Sequence, residues 1–176
     1  MDGRGVCHDL YFSHPIAYAV GVGVPAKHCA RARRLGRNRM EGAMKITRCG
    51  EVPSVRAPAD AFTGVVWQNP IVTAHAPGRV GSALVTFLPG ARTFWHHHPL
   101  GQTLYITQGT GWFQTEGEPR IEINAGDVIW IPPHEKHWHG ATDSTTMSHV
   151  AMHERDGARH VTWLDPVSEA DYLALG

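Results

Sequence analysis

The chain has 176 residues, 42% of them hydrophobic and 18% charged, with no net charge at neutral pH. That suffices for one globular domain with a sizeable core and excludes a disordered chain. No apolar run approaches the roughly 18 residues of a membrane-spanning helix.

The charge is unevenly spread. Residues 1–50 hold nine Lys or Arg against three Asp or Glu, about +6, and the remainder carries about −6. Residues 1–43, with "CARARRLGRNRM" among them, read as a poorly structured basic extension or as the product of a start assigned too far upstream. No interleaved aromatic residues support nucleic-acid binding. Ile16 to Val24 is too short and Gly-rich for a signal sequence. Three cysteines, Cys7, Cys29 and Cys49, make no even disulfide framework and fit a cytoplasmic protein.

From Met44 the texture changes to short apolar segments separated by Pro and Gly, so the domain is expected to span 44–176. Strands are expected at 79–88, 93–98, 103–109, 111–116, 120–123, 127–132, 146–154 and 160–164. Each is rich in β-branched and aromatic residues and bounded by turn signals such as "PGAR" and "NAGD". Strand-like segments at 65–67 and 71–73 are candidate open edges. "SEADYLALG" reads as one short helix, with Ser168 as N-cap, Asp171 at capping-box distance and Gly176 to end it. Many short strands with frequent turns point to an all-β sandwich or barrel.

Eight of the 13 histidines fall between 96 and 153. On a strand alternate side chains share a face, so His96 and His98 point one way and His97 the other. Gln102 follows a turn-like "PLG" that brings it back towards that pair. In "PPHEKHWHG", His137 and His139 share a face and His134 lies nearby. Histidines from two segments with an amide oxygen form a mixed N/O donor set. It suits Mn, Fe, Co, Ni or Zn better than Ca or Mg. In "TTMSHVAMHE", Met147, His149, Ala151 and His153 alternate on one face, expected to be the interior. His75, His97, His134 and His160 are read as solvated or hydrogen-bonded residues.

"GARTFWHHHPLGQTLYITQG" resembles the first motif of the cupins, with Gly90, His96, His98, Gln102 and Gly109 in frame and Gln102 where most cupins carry Glu. "GDVIWIPPHEKHWHG" is similar to their second motif through Gly126, Pro132 and His137, with His134 in place of Gly and Ala141 in place of Asn. The resemblance implies a single cupin jelly-roll barrel. From about Phe62 to Leu175 the chain is also similar to small bacterial cupins that are manganese-dependent hydroxynitrile lyases. That likeness implies metal ligands His96, His98, Gln102 and His137, holding Mn²⁺ foremost and Fe²⁺ next. It implies a substrate pocket lined by Ala83, Val85, Thr93, His139 and His149, with His153 where those relatives often have Gln.

Three imidazoles and an amide leave a divalent ion its full charge, a strong Lewis acid that lowers the pKa of an alcohol. His149 or His139 can take the released proton, and a cyanohydrin then parts into a carbonyl compound and cyanide. Phe87, Trp95, Tyr105, Trp112, Trp130 and Trp138 are candidates for an aromatic wall suited to an aromatic aldehyde. The same residues admit an iron-dependent cupin dioxygenase, although Gln102 lacks the carboxylate such sites commonly use. They also admit a non-enzymatic cupin that binds a small molecule. The expected partners are a small-molecule substrate and copies of the chain in a dimer or tetramer, with no nucleic acid and no membrane.

Overall fold

Runs rich in Val, Ile, Thr and aromatic residues, cut at short intervals by Gly, Pro and Asn, have little choice but strand and turn. The computed structural model describes residues 44–48 and 50–174. The extension expected over 1–43 and Gly176 at the chain end lie outside the described residues. All the elements found among the described residues lie in the unit Thr47–Gly176.

Among the described residues twelve strands follow in order: β1 (Val55–Arg56), β2 (Phe62–Thr63), β3 (Val66–Val72), β4 (Val80–Phe87), β5 (Arg92–Thr93) and β6 (His96–His97). Then come β7 (Gln102–Thr115), β8 (Ile121–Asn124), β9 (Val128–Ile131), β10 (His137–Ala141), β11 (Met147–Glu154) and β12 (Thr162–Trp163). Helix α1 (Glu169–Leu173) closes the series. One sheet runs β1-β3-β4-β11-β7-β9. The other is built on β10, which pairs with β7, β5 and β6, while β8 adds to β7, β2 to β5 and β12 to β6. All pairings are antiparallel.

The long strand β7 belongs to both sheets. Its first half pairs with β11 and β9, its second with β10 and β8. "QGTG" therefore marks a bend within one strand, not the break expected between 103–109 and 111–116. Gly109 makes the bend possible, with φ 75° and no room for a Cβ, which would lie 1.9 Å from the carbonyl oxygen of Thr146. This continuous bent strand curls the two sheets around a common interior.

Other expectations shift locally. The expected strand 93–98 is two short pieces, β5 and β6. Between them, Phe94 and Trp95 donate their main-chain N–H groups to Ala61 and Asp165 instead of to a ladder. The candidate edge at 65–67 is largely paired, because Gln68 and Trp67 of β3 meet β1 on one side and β4 on the other. Ile71 and Val72 lie beyond the reach of β1. Helix α1 forms as expected at its start, where the Ser168 hydroxyl accepts from the Asp171 N–H at 3.0 Å.

Inward alternation from both sheets builds the core, with Val66, Phe87, Leu104, Ile106, Ile131, Ala141 and Met147 all buried. Trp138 faces the other way. It is fully buried against Val167 and Tyr172, so α1 covers the back of β10. The Tyr172 hydroxyl donates to the carbonyl of Ala141, and the Arg92 guanidinium lies 4.3 Å above its ring. This packing fixes the strand whose opposite face carries His137 and His139.

Candidate metal and catalytic site

The two sheets bring their histidines to one interior. His96 of β6 and His137 of β10 are direct cross-strand partners, with ring centroids 4.2 Å apart. His139 is two residues further along β10 on the same face. The possible ligand nitrogens of His96, His137 and His139 lie within 4.8 Å of one another. His98, just past β6, has its ring 5.3 Å from that of His96 and 5.9 Å from that of His137. Gln102 opens β7, and its Oε1 lies 3.2 Å from His137 Nε2. From the other sheet, His149 of β11 sets its Nε2 3.2 Å from His139 Nδ1.

Hydrogen bonds sort these imidazoles into two kinds. His96, His98 and His137 each direct Nδ1 at a main-chain carbonyl, those of Phe94 (2.9 Å), His160 (2.5 Å) and Glu135 (2.8 Å). A carbonyl only accepts, so the proton sits on Nδ1 and leaves Nε2 a lone pair, the arrangement that outer-shell partners impose on metal-bound histidines. The Nε2 of His98 is buried with no hydrogen-bond partner. His137 Nε2 and Gln102 Oε1 are then two acceptors aimed at each other, an arrangement that a cation between them would satisfy. These orphaned lone pairs fit a divalent ion. His139 is different, because its Nδ1 meets another imidazole while its Nε2 and the Nδ1 of His149 are buried without partners.

Burial keeps the whole cluster neutral. Desolvation, aided by neighbouring imidazoles, holds the pKa of His96 and of His139 well below the usual 6.5. Desolvation likewise lowers His98 and His149 to about 3 and His137 and His153 to about 4. Neutral rings coordinate metal with no proton to displace.

Beside the cluster lies a cavity of about 110 Å³. Its lining includes every residue expected at the pocket: Ala83, Val85, Thr93, His139, His149 and His153. Gly81 leaves room for His153, since a Cβ there would stand 2.8 Å from its Nε2. The expected aromatic wall needs correction. Trp130 and Tyr105 are exposed, Trp138 lies behind β10 with Trp95 and Trp112, and Phe87 touches the site through His139 and His149. The aromatic lining is instead Phe62 and Trp163, whose rings are 5.3 Å apart, with Trp163 4.8 Å from His96. The lining also includes Gln68 and His160, neither anticipated at the site. His160 stacks on His153 at 4.7 Å. Strand alternation in "HVTWL" places Val161 and Trp163 on one face, but nothing local says that this face meets the cavity. Among the described residues no Lys, Arg, Asp or Glu lines it.

Residues 83–153 match the cupin domain family. The (R)-mandelonitrile lyase of Granulicella tundricola is 50% identical over 129 residues, covering 73% of this chain and 98% of that protein. A cupin-like protein of Thermotoga maritima is 36% identical in its crystal structure, with a TM-score of 0.66, covering 72% of this chain and 95% of that one. The polyketide cyclase RemF of Streptomyces resistomycificus shares the fold alone, at 18% identity and a TM-score of 0.58 over 74% of this chain and 91% of its own. The bent strand shared by two sheets, the inward histidines and these relatives together place the chain in the cupin family, where it resembles the hydroxynitrile lyases.

Proposed function

We propose that the protein is a metal-dependent lyase that cleaves or forms the C–C bond of a cyanohydrin or a related hydroxy-carbonyl compound. The observation that carries this reading is the His139–His149 pair beside three carbonyl-tethered imidazoles and a neutral cavity. His96, His98, Gln102 and His137 hold the ion, Mn²⁺ foremost and Fe²⁺ next. The bound ion supplies Lewis acidity to a substrate hydroxyl. His139 and His149 then handle the proton. One of them accepts it from the hydroxyl, the C–C bond breaks to leave an aldehyde and cyanide, and the imidazolium returns the proton to cyanide. Because burial keeps His149 a weak base, with a pKa of about 3, it takes a proton only from a hydroxyl already made acidic.

The lining supports a small, neutral substrate with an aromatic part. Ala83, Val85 and Ala151 leave space, Thr93 and His153 offer polar edges, and Phe62 and Trp163 offer aromatic faces. Among the described residues no Lys or Arg lines the cavity, so a carboxylate or phosphate entering it meets no cation but the bound ion, and a neutral substrate leaves that ion free to act on its hydroxyl. The expected result is turnover of neutral aromatic cyanohydrins and none of the corresponding hydroxy acids. The assay is run on metal-loaded protein with oxygen excluded. Activity that requires O₂ would favour the dioxygenase reading, and binding without turnover would favour a non-enzymatic role.

We further propose a homo-oligomer, a dimer or tetramer, joined through the outer face of the first sheet. There the cross-strand rows Leu84–Val150–Tyr105–Val128 and Ser82–Met152–Thr103–Trp130 carry no charge. Trp130 is 66% exposed, Val128 65% and Tyr105 45%. Two copies can meet on such a face without like-charge repulsion. Residues 44–176 are proposed to suffice for this assembly. Light scattering is expected to give the same oligomer for the full chain and for one beginning at Met44, with equal melting temperatures. A 19.3 kDa monomer for the full chain would refute the assembly, and a destabilised shorter chain would refute the domain boundary. Among the described residues no helix is long and apolar enough to cross a membrane.

A further inference from the structure

We propose that His97 and His134 form a second metal site, on the outside of the barrel and separate from the cavity histidines. His97 is the residue of β6 that points away from His96 and the interior. Its ring is half-buried, and its Nδ1 is buried with no hydrogen-bond partner. His134 sits in the turn between β9 and β10, exposed, with its ring centroid 5.7 Å from that of His97 and the planes at 53°. An ion bound to one nitrogen of each ring at about 2.1 Å sets the two centroids roughly 5 to 6 Å apart. The centroid spacing of the pair falls within that range.

The backbone gives a second, independent reason. His134 has φ 65°, and among the described residues no other non-glycine residue has a positive φ. This left-handed region favours glycine, because a Cβ crowds the following carbonyl. The strain is held by the fold, since the His134 N–H donates to the carbonyl of His98 at 2.9 Å. The outcome is an imidazole 5.7 Å from another imidazole at a position where a side chain is itself a cost. Two neutral nitrogens with water completing the shell select Ni²⁺, Cu²⁺ or Zn²⁺ over Mg²⁺, Ca²⁺ or Mn²⁺. The two sites share no ligand atom.

Equilibrium dialysis of the full chain against Ni²⁺, read by elemental analysis, tests the site. His134→Gly is expected to bind one Ni²⁺ fewer per chain than the unmodified protein. Its melting temperature is expected to stay equal or rise, because glycine relieves the backbone. His97→Gln is expected to lose the same single equivalent. His96→Ala is expected to lose a different one, so that H96A combined with H134G loses two. Failure of the cavity site shows as no loss in H96A, whereas failure of this site shows as no loss in H134G. Unchanged Ni²⁺ content in H134G and H97Q, or a loss in only one of them, overturns the proposal, since a shared ion needs both rings.

Discussion

Replacing His149 by alanine is expected to leave metal content unchanged and to cut turnover by about 10²- to 10⁴-fold, the usual contribution of a positioned general base. His149 is 1% exposed and packs on Phe87 and His139. The substitution therefore also costs about 1 to 3 kcal/mol of stability, to be measured by denaturant titration so that lost folding is not mistaken for lost chemistry. His149 hydrogen-bonds no tethered imidazole directly and meets the cluster through His139 Nδ1, which is why metal content and turnover should separate. His75→Ala, at an exposed position, is expected to leave both unchanged. Full activity in H149A would move the base to His139, the other partner of the pair.

Removing the metal is expected to have the largest effect. His96→Ala should abolish binding at the cavity site and all turnover, and chelation of the unmodified protein should do the same reversibly. His96 is fully enclosed and directly opposite His137, so its loss removes one of the three carbonyl-tethered nitrogens from the centre of the cluster. The unmodified protein is expected to carry one Mn²⁺ or Fe²⁺ per chain when those ions are supplied. Supply must be controlled, because affinity alone would load copper or zinc. Metal at a hundredfold excess over its dissociation constant adds about 2.7 kcal/mol of stability, visible as a lower melting temperature after chelation. Metal-free protein that keeps full activity would refute the mechanism.

The chelated protein should also be acid-sensitive, with a definite sign. Burial depresses the folded-state pKa of His98 and His149 to about 3 and of His137 to about 4, whereas the unfolded chain titrates near 6.5. Between those values the unfolded state binds more protons. The stability present above pH 6.5 is therefore lost as pH falls through 6.5 towards 4. Melting curves across that range are the check.

Local residue pattern was enough for the kind of fold and for the grouping of the histidines. The period of two in "HHH", "HWH" and "HVAMH" is a property of extended backbone wherever it occurs, so the inward faces of His96, His98, His137, His139 and His149 are legible before any packing is known. Where those faces point depends on contacts distant in the chain, which the tertiary structure alone decides. The bend at Gly109 looks like a turn in "QGTG" and is instead the point where one strand passes between two sheets, because Thr146, 37 positions later, fills the space a Cβ would need. The pocket wall shows the same limit. Six aromatic residues were candidates from their strands, yet Trp130 and Tyr105 face outward and Trp138 packs under α1. Phe62 and Trp163, about a hundred residues apart, meet at the cavity instead. The tautomers that free Nε2 on His96, His98 and His137 depend on the carbonyls of Phe94, His160 and Glu135. A side chain's alternation is set by its own backbone. Its partner is set by the closure of the two sheets, and no short stretch of sequence contains that closure.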